Sequence, residues 1–345
     1  MSGVSTLDIA QKLNLSRNTV SKALNDHPEV TPKTKKLVIE TAIQMGYKRI
    51  NQQALLETQE MGSCKDICLL VHEREMDNNY WSQVLKGAEE YLTAQRCRIV
   101  LAILSKTDIE NNQLPLVLQN STVAGIIAIG KYCVEYYKHL KETGIPLVTI
   151  DTAADVKSNN LLNDTIMTCN HSAVFDITEQ LINNGYRRIA FAGNPRSCRS
   201  VQERWNGYRE AMLMHGLEIS DEYKIFQEID IDMEELDDFF GETVALPEAL
   251  VCANDDIAGK ICSALKKKGI RAPQDMAMSG FDNYDMMREE MRDLTTVSYS
   301  IAELGNLAAR QILYRIENPD ASFILIRLSS TVLYRQSTAS KKNLT

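Results

Sequence analysis

Short apolar runs alternate with amphipathic segments from residue 65 onward, and this alternation restricts the fold more than any other feature of the sequence. Buried strands are predicted at 67–71, 99–104, 125–129, 147–150, 189–192, 250–253, 276–280 and 332–334. Helices are predicted at about 81–94, 109–119, 134–142, 171–183, 201–214, 257–267 and 301–315. Strands and helices in alternation form parallel sheets that are covered on both faces. Because there are too many strands for one small sheet, we expect an α/β core of two doubly wound lobes with a cleft between them.

The first fifty residues carry a purely helical pattern. The apolar residues of a first short helix share one face: Ile9, Ala10 and Leu13. Those of a second helix do the same: Val20, Ala23 and Leu24. Between the helices, Asn14 tolerates the left-handed conformation of a helix C-terminus, and Ser16 can cap the second helix. The sequence therefore predicts a helix-turn-helix.

The second helix exposes hydrogen-bonding side chains on the face opposite its apolar residues. These side chains are Arg17, Asn18, Ser21 and Lys22. A helix with such a face fits the major groove of DNA, where its N-terminal residues reach base edges. We expect Arg17 to contact guanine, Asn18 an adenine edge or a phosphate, and Lys22 a guanine or a phosphate.

The charge of the chain is distributed unevenly. The net charge is −8, which alone would argue against a nucleic-acid partner. Residues 1–50, however, hold eight Lys and Arg against four Asp and Glu, a net charge of +4, which leaves −12 for the remainder. A basic head on an acidic body orients the chain on a polyanion such as double-stranded DNA.

Cysteine usage, hydropathy and histidine placement exclude several classes. The eight cysteines are scattered without a Cys-x-x-Cys pair, which is typical of a reducing compartment. The N-terminus has no apolar signal core, and no run approaches the ~18 apolar residues of a membrane span. The histidines are too dispersed for a metal site. We expect a cytoplasmic protein with neither cofactor nor metal.

Two sets of motifs make the chain similar to a known family. The N-terminal run from Ser16 to Asn25 resembles the headpiece of the lactose-repressor (LacI/GalR) family of bacterial regulators. Further segments follow in the family's order: 79–81, 86–89, 181–193, 204–208, 253–255, 269–275, 280–282 and 294–297. The resemblance covers nearly the whole chain. It implies a three-helix head on a core similar to periplasmic sugar-binding proteins.

The resemblance also implies which residues contact DNA. A third helix is expected to begin at Thr31 and Pro32 and to complete the head, with Thr34 facing a phosphate. The implied DNA-binding set is Ser16, Arg17, Asn18, Ser21, Lys22, Asn25 and Thr34.

The segment after the head departs from the family pattern. The family has a proline two residues after Tyr47 and then an asparagine; here the proline is missing and Asn51 is displaced by one position. Leu56, or Leu55, remains a candidate for the side chain that such hinges wedge between base pairs. A flexible linker is the alternative. The expected domains are a head at 1–50, a hinge or linker at 51–63, a core at 64–337 and a tail at 338–345.

Polar residues follow several of the predicted strands, where ligands bind in parallel sheets. The resemblance implies that four polar residues hydrogen-bond the hydroxyl groups of a small molecule, commonly a sugar: Asp151, Arg204, Asn254 and Asp282. Tyr80, Trp81 and Phe281 could supply an apolar wall for a sugar ring. The candidate effector-binding set is Tyr80, Trp81, Asp151, Arg204, Asn254, Phe281 and Asp282.

Structural roles remain open for the same residues. An aspartate at a strand end often caps the next helix, as we expect for Asp255, and Arg204 can pair with a carboxylate across the cleft. Arg196 and Arg199 lie close to Arg204 in the sequence, which raises the alternative of a phosphorylated or carboxylated effector.

These observations together predict a sequence-specific transcriptional regulator, of the repressor type, whose DNA affinity a small molecule controls. Two heads in a homodimer would match the half-sites of a pseudo-palindromic operator. A core that binds a protein co-regulator instead of a metabolite is the alternative. The chain lacks both Gly-x-x-x-x-Gly-Lys-Ser/Thr and Gly-x-Gly-x-x-Gly, which argues against a sugar kinase or another enzyme.

Overall fold

The structure is a computed structural model that describes residues 4–25, 27–47, 65–77, 80–120, 123–130, 132–219, 224–225, 246–271, 275–283 and 291–340. The chain divides into two compact units, Met1–Cys64 and Lys65–Thr345. The expected hinge at 51–63, with Leu55 and Leu56, lies outside the described residues.

Three helices form the first unit: α1 (Thr6–Leu13), α2 (Arg17–Leu24) and α3 (Pro32–Met45). Their ends follow from capping residues. The Ser16 hydroxyl accepts from the Thr19 amide at 3.0 Å, Asn14 adopts a left-handed φ of 53°, and Gly46 ends α3 at φ 76°. Their apolar faces meet in one small core: Ile9, Ala10, Val20, Ala23, Leu24, Val30, Val38, Ile39 and Ala42.

The second unit is built of alternating strands and helices. Its described strands are β1 (Asp66–His72), β2 (Arg98–Leu104), β3 (Gly125–Ile129), β4 (Leu147–Ile150), β5 (Asp164–Thr168), β6 (Ile189–Ala192), β7 (Lys224–Ile225), β8 (Ala249–Cys252), β9 (Ala277–Ser279), β10 (Thr296–Ser298), β11 (Leu325–Leu328) and β12 (Thr331–Leu333). Its described helices are α4 (Tyr80–Ala94), α5 (Lys106–Glu110), α6 (Leu116–Gln119), α7 (Val134–Glu142), α8 (His171–Asn183), α9 (Arg199–Met214), α10 (Asp255–Lys267) and α11 (Ile301–Glu317).

The strands form two parallel sheets and one antiparallel pair. Within the described residues the larger sheet has the order β11-β5-β4-β3-β1-β2, and the smaller has the order β7-β6-β8-β9. Strands β10 and β12 pair antiparallel. Each parallel sheet with its helices is one lobe. The predicted parallel α/β core is thus confirmed.

The first lobe has apolar cores on both faces of the larger sheet, because successive strand residues point to opposite faces. Helices α4 and α11 cover one face with residues such as Val84 and Ile312, and α7 covers the other with Tyr136. The helices α4 and α11 approach so closely that a Cβ on Gly87 would lie 1.7 Å from the carbonyl oxygen of Ala302.

The second lobe packs around the smaller sheet. Its core joins α8, α9 and α10 to the sheet through side chains such as Phe191, Tyr208 and Ile261. The chain passes between the lobes three times, after β5, after β10 and after β11, since α8, α11 and β12 each belong to the opposite lobe from the strand before them.

The structure differs from the sequence expectations at several elements. The single helix expected at 109–119 is wrong: α5 ends at Glu110, Asn112 adopts a left-handed φ of 52°, and Pro115 precedes α6. Strands β5, β7, β10 and β11 were not expected. In β5 the reason is composition, since buried Thr165 pairs with Thr149 on the next strand through a 3.3 Å hydrogen bond instead of by apolar contact alone.

Candidate effector cleft

Arg204 lies at the centre of the candidate site and donates to three partners. It is on α9, is 6 % exposed, and has its Nε 2.9 Å from Asn170 Oδ1. Its Nη1 donates to the carbonyl oxygen of Ala253 at 2.6 Å, and its Nη2 donates to Asp282 Oδ1 at 3.5 Å. The guanidinium also stacks on Phe281, with 3.5 Å between its carbon and the ring centroid. Arg204 therefore pairs with a carboxylate, but within the second lobe and not across the cleft as expected.

The loop after β9 supplies the carboxylate. Asp282 is buried, adopts a φ of 101°, and accepts from the Tyr299 hydroxyl at 2.7 Å. A positive φ of this size is uncommon for an aspartate, so the loop holds the carboxylate in place at some conformational cost. The result is an acidic group with two donors, Arg204 and Tyr299, on one side.

The first lobe contributes Tyr80, the first residue of α4. Burial raises the pKa of Tyr80 well above its ordinary value, and the nearby carboxylates of Asp282 and Asp151 raise it further, while Arg204 opposes them. Burial alone would lower the pKa of Arg204, but Asp282, Tyr299 and Asp151 outweigh burial and raise it. Side chains from both lobes therefore meet in one electrostatic cluster.

Asp151 joins the lobes in a different way. It follows β4 at a φ of 67°, and its Oδ1 accepts from the Thr152 amide at 2.7 Å and from the Ser200 amide at 3.2 Å. Ser200 is the second residue of α9, where backbone amides have no partner within the helix. Asp151 thus caps a helix of the second lobe from the first lobe.

The remaining candidates have local structural roles. Asn254 caps α10, with its Oδ1 2.9 Å from the Ile257 amide. Trp81 is half-buried against the apolar core of the first lobe. Asp255 is buried and accepts from Thr296 Oγ1 at 2.7 Å; burial, with a contribution from Asp282, raises its pKa to about 7.

The three arginines near the start of α9 do not form a shared anion site. Arg199 donates to Glu203 Oε1 at 3.0 Å, and Arg204 donates to Asp282. Arg196 is exposed. The guanidiniums of Arg199 and Arg204 thus already donate to carboxylates of the chain. A cluster of three free guanidiniums was the main argument for an anionic effector, and the structure does not show one.

A groove of about 540 Å³ lies elsewhere on the first lobe. It is lined by His72, Lys106, Ile109, Glu110, Asn112, Cys133 and Glu135. His72, the last residue of β1, borders this groove. The described residues include no group of three His, Cys, Asp or Glu that could hold a metal ion.

The candidate DNA-binding residues occupy the surface of the head or cap its helices. Arg17 and Asn18 are exposed, and Arg17 Nε donates to Thr6 Oγ1 at 3.3 Å. Lys22 forms an ion pair with Glu29. Ser16 and Thr34 take part in the capping of α2 and α3, while the side-chain Nδ2 of Asn25 donates to the Ser21 carbonyl oxygen at 2.9 Å.

Comparison with known proteins shows which proteins the chain resembles. A model of the periplasmic binding protein-like domain matches residues 178–338. The chain is 27% identical over 343 residues to catabolite control protein A of Priestia megaterium, covering 97% of this chain and 99% of the relative. The structure of the lac repressor dimer bound to operator and an anti-inducer covers 98% of this chain and 100% of its own, with a TM-score of 0.66 and 19% identity. Over nearly its whole length the chain is similar to transcriptional regulators of the LacI/GalR type.

A second solved structure agrees with the fold. The complex of the transcriptional regulator CelR with cellobiose covers 97% of this chain and 99% of its own, with a TM-score of 0.69 and 23% identity. The relatives that the chain resembles are regulators of transcription and not enzymes. None of the described helices is long and apolar enough to cross a membrane.

Two residues of the candidate cleft were not predicted from the sequence. Asn170 follows β5 and Tyr299 follows β10. Because β5 and β10 were not predicted as strands, the rule that ligands bind beyond strand ends did not point to the residues that follow them. Recognition of the Thr-rich run at 164–168 as a strand would have found Asn170.

Proposed function

We propose that the chain is a sequence-specific DNA-binding repressor whose operator affinity is controlled by a small molecule, a sugar or sugar derivative, bound between the two core lobes. The observation that carries this proposal is the buried pair of Arg204 and Asp282 beside Tyr80 of the other lobe. Fixed donors and acceptors between two lobes suit a ligand rich in hydroxyl groups.

The head is proposed to read the major groove with α2. The exposure of Arg17 and Asn18 at the N-terminal end of that helix supports base contacts, because these two side chain types pair with guanine and adenine edges. The proposed DNA-binding set is Ser16, Arg17, Asn18, Ser21, Lys22, Asn25 and Thr34, with Leu56 as a minor-groove wedge.

The cleft is proposed to bind the effector through both lobes. Hydroxyl groups would exchange hydrogen bonds with Arg204 and Asp282, while Phe281 lies under the guanidinium. The CelR complex contains cellobiose, which is why a sugar-like ligand is the first class to test. The proposed effector-binding set is Tyr80, Trp81, Asp151, Arg204, Asn254, Phe281 and Asp282.

A homodimer is proposed, joined at least in part through the first lobe. In the described part of the larger sheet β2 is an edge strand, and Leu101 and Ile103 on it are 42 % and 50 % exposed. Apolar residues on an edge strand favour pairing with another chain. The lac repressor in the matching structure is a dimer on its operator. The proposed location is the cytoplasm, where the DNA of a bacterium lies.

The deciding experiment selects DNA with the purified full-length protein, with and without a metabolite pool, and sequences what is retained. We expect a pseudo-palindromic motif whose recovery changes when the pool is added. Linkage requires that the operator alters effector affinity by the same factor as the effector alters operator affinity.

Two outcomes would contradict the proposal. If the retained DNA shows no sequence preference in moderate salt, the protein does not recognise an operator. If removal of residues 1–63 leaves the sequence preference intact, the head is not the part that reads DNA. Operator binding that no metabolite changes would favour a protein co-regulator as the controlling partner.

A further inference from the structure

Glu203 forms a second contact point between the lobes, separate from the Arg204 cluster. It lies within α9, four residues after Arg199, and is 7 % exposed. Its Oε2 accepts from Arg327 Nη1 at 2.7 Å, and its Oε1 accepts from Arg327 Nη2 at 2.7 Å and from Arg199 Nε at 3.0 Å. One buried carboxylate is therefore bound by two guanidiniums.

The pair of Glu203 and Arg327 spans the two lobes. Arg327 lies on β11, an edge strand of the larger sheet within the described residues, whereas α9 packs in the second lobe. The two-point geometry of Arg327 fixes both the distance and the orientation of β11 relative to α9.

Arg199 extends the connection to another part of the first lobe. Its Nη1 donates to the carbonyl oxygen of Val156 at 3.0 Å, and its Nη2 lies 3.4 Å from Ser158 Oγ. Val156 belongs to the apolar core of the first lobe. Glu203 thus holds in place a guanidinium that itself reaches the first lobe.

Glu203 and its arginine partners are charged, which strengthens their contact. Burial would raise the pKa of Glu203, but hydrogen bonds from Arg327 and Arg199 outweigh burial and lower it. The Arg327 pKa is raised by its hydrogen bond with Glu203. Both partners therefore stay charged at neutral pH.

Glu203 and Arg204 are neighbours in sequence but serve different surfaces of α9. Successive residues of a helix point about 100° apart, so Arg204 faces the cleft while Glu203 faces β11. The partners of Glu203 are Arg199 and Arg327, and neither belongs to the proposed effector-binding set.

We propose that Glu203 is a positioning residue that holds the lobes together through Arg327 and Arg199 and so sets how readily the cleft opens. The proposal rests on the proposed function only in treating lobe closure as the motion that an effector controls. A ligand shifts the equilibrium between open and closed lobes by its difference in affinity for the two states. A contact that already favours closure lowers the difference in affinity that the ligand must supply.

Two backbone amides report directly on the contact between the lobes. The Arg199 amide donates to the Thr152 carbonyl oxygen at 2.9 Å, and the Ser200 amide donates to Asp151. Both amides lie in the first turn of α9, where no partner exists within the helix. Protection of these two amides from solvent exchange therefore depends on the first lobe.

The experiment is hydrogen–deuterium exchange of the full-length protein, without DNA or added ligand, resolved to single amides by fragmentation. We expect Glu203→Gln to speed exchange at Arg199 and Ser200 by roughly tenfold or more, while the amides of β8 keep the wild-type rate. Arg327→Lys keeps the charge but loses the two-point geometry, and we expect an intermediate rate.

The matched control is Glu210→Gln, which removes an exposed contact between Glu210 and His171 within the second lobe. It should leave the two amides unchanged. Wild-type exchange at Arg199 and Ser200 in Glu203→Gln would overturn the proposal, as would an equal acceleration in β8, because Glu203 would then support general stability only. Neither result depends on DNA or effector binding, so the proposed function is tested independently.

Discussion

The guanidinium of Arg204 lies between the ring of Phe281 and the carboxylate of Asp282, 3.5 Å from the ring centroid and 3.5 Å from Asp282 Oδ1. A planar cation suits this position, since it can stack on the ring while its edge donates to Asn170 and the Ala253 carbonyl oxygen.

Arg204→Lys should destabilise the core because a lysine can neither stack on Phe281 nor donate to all three acceptors. We expect the free energy of unfolding to fall by roughly 2 kcal/mol, measured by urea denaturation. Arg209→Lys, an exposed position on the same helix, is the control and should change little. Equal stability of the two variants would mean that the buried acceptors find other donors.

Arg17→Ala should weaken operator binding by about 1–3 kcal/mol and relax specificity at one position in each half-site. The reason is the loss of an exposed guanidinium at the start of α2. Binding titrations against operators with single base-pair changes measure both effects. If binding weakens uniformly across all sequences, Arg17 contacts only the DNA backbone.

Glu29→Gln should strengthen DNA binding severalfold, because Glu29 pairs with Lys22 on the head surface. The hydrogen bond and charge of Lys22 lower the pKa of Glu29, so the carboxylate is charged at neutral pH and its removal adds positive charge to the head. The salt dependence of binding should steepen as well. In a Lys22→Gln background the Glu29→Gln change should lose most of its effect, and an equal effect in both backgrounds would assign it to net charge alone.

Asp255 should make the stability of the core fall as pH rises. Its pKa in the folded chain is about 7, above the ordinary 3.8, so the folded state binds more protons than the unfolded state between those values. The contribution of Asp255 to stability is greatest below about pH 4, declines up to about pH 7 and is constant beyond, with a total loss on the order of 4 kcal/mol. Chemical denaturation across this range should show the slope in wild type and in Asp256→Asn, and its absence in Asp255→Asn. A slope that persists in Asp255→Asn belongs to other groups.

Asp164→Ala should lower the free energy of unfolding by about 3–5 kcal/mol, because it leaves the buried Arg315 with backbone carbonyl acceptors but no carboxylate to balance its charge. The Asp164 carboxylate is fully buried and binds Arg315 at 2.8 and 2.9 Å and Gln311 at 3.0 Å. The control is Asp66→Ala, whose carboxylate pairs with a mostly exposed Arg98, and a loss of about 0–1 kcal/mol is expected there. Similar losses in the two variants would indicate that Arg315 gains water or another acceptor.

Local chemistry explains what could be foreseen from the sequence. Ser16, Asn14 and Gly46 determine helix ends through bonds within a few residues, and those ends lie where capping rules place them. Apolar runs such as Leu147–Ile150 give strands because both faces of the sheet are covered. The same rules place Asp282 just beyond the end of a strand.

Long-range pairing explains what could not be foreseen. Asp164 begins a strand that lacks an apolar pattern because its charge is satisfied by Arg315, 151 residues away. Glu203 and Arg327 are 124 residues apart, and no local pattern links them. The partner of a buried charge is known only once the sheet order is known.

The position of β11 has a consequence for how the protein is made. The first lobe begins with β1 near residue 66, yet β5 pairs with β11, and α4 packs against α11. The amino-terminal half of the core therefore remains incomplete during synthesis until the ribosome has translated and released residue 328. Until then its sheet edge at β5 and the apolar face of α4 are uncovered, and nascent chains of this kind are where chaperone binding or aggregation begins.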